Sequence, residues 1–176
     1  LQAAAQQVSF IGVDGLTMDA SNLSVALNQN SNDSTLVIDY QKQALDVVVS
    51  SSENFTIDMD GSKGELIQAA ADLEINLFDF FAVNGSFGFE KSTQDMTLSD
   101  GETITVDMMT IGASDVNAFA GINYAKAGAV GLNLGTLSFG LALMSDKKDA
   151  SKKYTSLQAT ADSAEFIGVD GLVISA

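Results

Sequence analysis

The segment DMDGSKGE places Asp58, Asp60 and Glu65 around a glycine at Gly61, the part of the chain whose residue types best suit chemistry. Calcium takes six to eight hard oxygen ligands, and a D-x-D-G run resembles part of a calcium loop. The spacing to the closing glutamate does not follow the EF-hand pattern, so a hairpin turn with solvated carboxylates competes directly with a cation site. NQNSNDS (28–34) is a weaker case, with the single carboxylate Asp33. No other grouping suggests a reaction. The chain has no Cys and no His, which removes thiol nucleophiles, thiolate metal sites and the commonest general base. Its 23 acidic residues form pairs at many spacings, and none stands out as a glycosidase pair. The expectation is a protein that is not an enzyme, with no cofactor unless calcium binds at Asp58, Asp60 and Glu65.

Composition narrows the partners. The net charge is −15, and all eight basic residues are Lys. That balance repels phosphate backbones and anionic lipid heads, so neither nucleic-acid binding nor membrane insertion is expected. A 46% hydrophobic content argues against disorder.

These residues must be positioned by strands, because the dominant period is two. In LTMDASNLSVALNQ, Leu23, Val25 and Leu27 alternate with small or polar residues, and ALDVVVS, NFTIDMD, ETITVDMMTIGASDVNAFAGI and AVGLNLGTLSFGLALMS read the same way. The spacing predicts roughly ten strands, with turns at 29–34, 50–54, 60–64, 83–86, 99–101 and 145–153. GELIQAAADL suits helix by composition, but its continuation into alternating EINLF favours a strand. FDFFAVNGSFGF (78–89) gathers five of the ten Phe, for which core packing competes with an exposed aromatic contact, since Phe81 has the opposite parity to Phe78 and Phe80. Small residues read as sharing one face, Ala113, Ala118, Ala120, Ala129, Gly131, Gly140 and Ala142, suggest close approach of two sheet layers.

The most informative feature is a repeat. FIGVDGL occurs at 10–16 and again at 166–172. Aligning positions 1–20 with 157–176 gives 12 identities in 20 at an offset of 156. The pattern predicts one tandem-repeat unit over residues 1–156 and the start of the next copy over 157–176. Asp14 and Asp170, in the V-D-G of the two phrases, read as turn residues before a glycine of positive φ. The fold expected is all-β, with mainly antiparallel long strands in a stacked two-layer, sandwich or solenoid-like repeat that continues into the next copy.

SFIGVDGLTMDASNLSVALNQ, NGSFGFEKS, TVDMMTIGASDVNAFAGI and GAVGLNLGTLSFGLALMSD together resemble the repeat units of very large, repetitive bacterial surface or secreted proteins of adhesin-like character. The resemblance implies a β-rich stalk or fibre at the cell surface or outside the cell, with neighbouring copies as the main partners and other fibres or surface glycans as further ones. It supplies no catalytic residues. Two other functions fit the pattern: a calcium- or carbohydrate-binding adhesion module, and a lipid-conducting β-groove. The groove requires one apolar sheet face left uncovered.

Overall fold

The computed structural model describes residues 1–31 and 36–169. Within them the chain is all-β. Ten strands run in order: β1 Gln2–Phe10, β2 Leu16–Asn28, β3 Leu45–Val48, β4 Asn54–Ile57, β5 Leu66–Leu77, β6 Phe81–Thr97, β7 Thr103–Ile122, β8 Val130–Asp146, β9 Lys153–Thr160 and β10 Ser163–Ile167. Eight form one sheet in the order β1-β2-β5-β6-β7-β8, with both β9 and β10 on the far side of β8; β3 and β4 form a separate hairpin. Every pairing is antiparallel. The sheet is a meander that the chain leaves only between β2 and β5.

β9 and β10 act as one strand. Ser138 faces Thr160 and Gly135 faces Ser163, so both pieces hold a single register against β8. The helix-prone GELIQAAADL became β5, as its alternating continuation favours. Its sheet neighbours outweigh helix propensity, a weak prior.

The strands are amphipathic across the whole sheet. Following the pairings, one face carries Leu16, Met18, Ala20, Leu23, Val25 and Leu27 from β2. On β5 that face holds every second residue from Ile67 to Leu77, and on β6 every second residue from Phe81 to Phe89. It continues from Met109 to Ile122 on β7 and from Val130 to Leu143 on β8, and within these limits each position is apolar or glycine. The opposite face holds Asp19, Asp72, Glu74, Asn84, Ser86 and Asn117 among other polar residues.

The core does not sit on the apolar band. Of the band's residues only Ala113 and Val116 are buried; the rest are half-buried or exposed. Such side chains touch their neighbours along the sheet and have little above them. The compact cluster lies instead at one end of the opposite face, where Ile104, Val106 and Met108 pack with Leu98, Met144 and Tyr154. The accessible surface is 11510 Å² for 18.3 kDa, against about 8,100 Å² for a compact domain of that mass. The strands are thus long and antiparallel, but among the described residues they make one main sheet, with no second sheet laid over it.

Candidate functional site

A line of irregularities crosses the sheet. Asn22 in β2, Asp115 in β7 and Thr136 in β8 have φ of 53°, 54° and 51°, all left-handed. The register slips at these places: between Ser21 and Ser24, between Ala113 and Val116, and between Val116 and Ala118. A bulge adds one residue to one strand and reverses the facing of everything beyond it. These slips keep the apolar set on one face although the sequence parity changes along the strand. They also divide the small residues: Ala113, Ala118 and Ala120 lie on the apolar band, whereas Gly131, Gly140 and Ala142 lie on the other face.

Gly85 of β6 belongs to the same line. Asn84-Gly85 reads as a hairpin turn in sequence, yet VNGS lies inside β6, where the register slips between Asn84 and Ser86. The glycine is required by proximity: a Cβ there would stand 2.7 Å from Val116 Cα. The turn actually falls at Phe78-Asp79, both left-handed at φ 53° and 56°, and the Phe80 amide donates to the Leu77 carbonyl at 3.0 Å. Phe78, Phe80 and Phe81 are 59%, 59% and 43% exposed, so these three rings are not core residues.

Side chains ladder across the polar side of the bulge line. Asn22 Nδ2 donates to Asp72 Oδ2 at 2.7 Å, and Ser86 Oγ donates to Asp72 Oδ1 at 2.5 Å. Those two donors, Ser86 first, hold the Asp72 carboxyl below the usual carboxylate range. Asn117 Nδ2 donates to Asn84 Oδ1 at 3.1 Å, and the Thr136 amide donates to Asn117 Oδ1 at 3.4 Å. An open depression of about 430 Å³ lies beside this ladder, lined by Gln7, Asp19, Asp72, Glu74, Asn84 and Ser86.

The acidic turn singled out in the sequence has structural uses. Asp58 is exposed. Asp60 caps the 3-10 turn Gly61–Lys63 by accepting the Ser62 amide at 2.8 Å, and the Ser62 hydroxyl and amide lower its pKa. Glu65 accepts the Asn30 amide at 3.2 Å. Asp39, which the sequence did not flag, accepts the Gly61 amide at 3.2 Å and pairs with Lys42 at 2.8 Å. Lys42, then the Gly61 amide, lower its carboxyl. Among the described residues no three acidic side chains converge as a cation cage. Asp33 and Asp170 lie outside the described residues.

The repeated phrases have a clear placement. The first aligned segment, 1–20, holds β1 and its turn, at one edge of the sheet; the described part of the second, 157–169, lies in β9 and β10, at the opposite edge. Five strands, β2, β5, β6, β7 and β8, lie between one edge strand and its counterpart in an antiparallel sheet, so both run in the same direction. Their facing agrees as well. Ala3 and Val8 share the apolar face through Val25 and Ala20, and their counterparts Ala159 and Ala164 share it through Phe139 and Leu134. Gly12 and its counterpart Gly168 both have positive φ, 106° and 73°. No family model, curated protein or solved structure matches the chain.

Proposed function

We propose that the chain is a structural repeat of an extended extracellular or cell-surface β-sheet fibre, joined edge to edge with neighbouring copies. One observation carries this reading: homologous strands lie at opposite edges of one sheet with the same direction and the same facing. A further copy can therefore be added by translation, with no reversal. In such an array β9 and β10 would serve as the first strand of the following copy, their free edge paired with that copy's second strand. Stability would then come from nearest-neighbour pairing. The open edges, a hazard in an isolated sheet, become the joints. The work is mechanical, with reach set by copy number.

The test is a chain of two successive copies. A single cooperative urea transition with a steeper slope than one copy, together with new amide protection along β9 and β10, is the expected result. Two copies that unfold with the midpoint and slope of one would mean separate beads, and the reading would fail.

A further inference from the structure

The apolar band carries a second assembly contact. The geometry points to a second copy of this sheet packed on it face to face, apolar side to apolar side. This inference stands on the band itself and is independent of the edge-to-edge reading.

Two observations choose this occupant. The first is area. Seven strand positions from β1 to β9–β10 at about 4.8 Å spacing, and eleven residues from Ile67 to Leu77 at about 3.4 Å rise, give a band of roughly 29 by 37 Å. Two such faces would remove roughly 2,100 Å² from water, within the range of obligate interfaces. A single acyl chain would leave most of that surface wet.

The second is relief. One row across the sheet alternates small and large side chains. Ala5 faces Leu23; beyond the β2 bulge Ala71 faces Phe87, Phe87 faces Ala113, Ala113 faces Phe139 and Phe139 faces Ala159. Rings next to alanines make knobs and hollows about one strand apart, the arrangement by which facing layers interdigitate at interior density. Fluid acyl chains have no use for such an alternation. Aligned sheets pack about 10 Å apart, which the alanine hollows permit.

Sedimentation of the chain tests this. The expected mass is twice 18.3 kDa, falling to one chain when Phe139→Glu is combined with Ile111→Glu. Both changes lie on the uncovered band, so the monomer should keep its strand circular dichroism. Hole filling by Ala71→Phe, which adds no charge, should weaken the dimer at least tenfold. The edge variant Ala164→Pro should leave the dimer intact. A dimer that survives the two face variants but is lost with Ala164→Pro would place the association at the edges and overturn the inference. So would a wild-type monomer that takes up a fluorescent fatty acid saturably and loses it with Phe139→Glu, because the band would then be a lipid surface.

Discussion

The carboxylate of Asp72 accepts the Asn22 amide and the Ser86 hydroxyl from its two neighbouring strands, at 2.7 and 2.5 Å. It thereby fastens a left-handed residue of β2 to the centre of the sheet. A carboxyl whose folded pKa is depressed stabilises the fold above the ordinary carboxylate range, and that contribution disappears as pH falls through the folded value. Ser86→Ala should therefore move the Asp72 titration up toward the usual range in an NMR pH series. It should also destabilise the chain at neutral pH, with the difference from wild type vanishing in acid. Asn22→Gly keeps the bulge, whereas Asn22→Val should cost about 1–2 kcal/mol in urea unfolding, because β-branched residues resist positive φ.

Gly85→Ala drives a methyl group into the Val116 backbone. The neighbour is main chain at a bulge and has little room to move. A loss of about 1–3 kcal/mol is expected, read as a lower urea midpoint with an unchanged slope.

The cluster around Val106 and the turn at Phe78 should respond in opposite directions. Met108 is 9% exposed within that cluster, and Met108→Ala should cost about 2–3 kcal/mol. Phe78 is 59% exposed and left-handed. Phe78→Asn should raise stability by about 0.5–1 kcal/mol, since asparagine accepts that conformation more readily. The Phe78 ring lies against Gly15; thermal melting of both variants checks the pair, and a destabilised Phe78→Asn would mean that this contact matters more than backbone strain.

For calcium the expected outcome is an unchanged melting temperature at millimolar concentration. Asp60 spends an oxygen on the Ser62 amide of its own turn and Glu65 spends one on the distant Asn30 amide, and ligand binding raises stability only where the folded state offers a site. A rise that Asp60→Asn abolishes would restore the metal reading.

The strands were legible in the sequence because alternation reports directly on which face is apolar, without a break in β5 and on each side of the slips in β2 and β7. The bulge line was not. Asn22, Asp115 and Thr136 differ in type and share only a backbone conformation imposed by their cross-strand neighbours, so parity counted along one strand misplaced the small residues beyond them. Asn84-Gly85 carried the usual turn signal, yet the glycine answers to Val116 on the next strand, while Phe78-Asp79 turns without any such signal. The acidic run at 58–65 was visible as a turn, but its partners, Asp39 and Asn30, came from elsewhere in the chain. The repeat gave its own positions, and only the topology revealed that they are opposite edges.

The pairing rows add a detail with a consequence of its own. The row that begins at Phe10 ends at Ala164, and the row that begins at Ala3 ends at Leu157, each two residues short of its counterpart in the repeated phrase. In the proposed array, each copy would thus advance about 29 Å across its six strands and slide about 7 Å along them. The excursion between β2 and β5 would leave every copy at the same end of the sheet, because six is even. A fibre of many copies would bear these excursions as a slanted comb along one margin, with the opposite margin trimmed to short turns. Such a strand-built ribbon would have a decorated side and a plain side, and its two margins would offer different surfaces to whatever lies beside it.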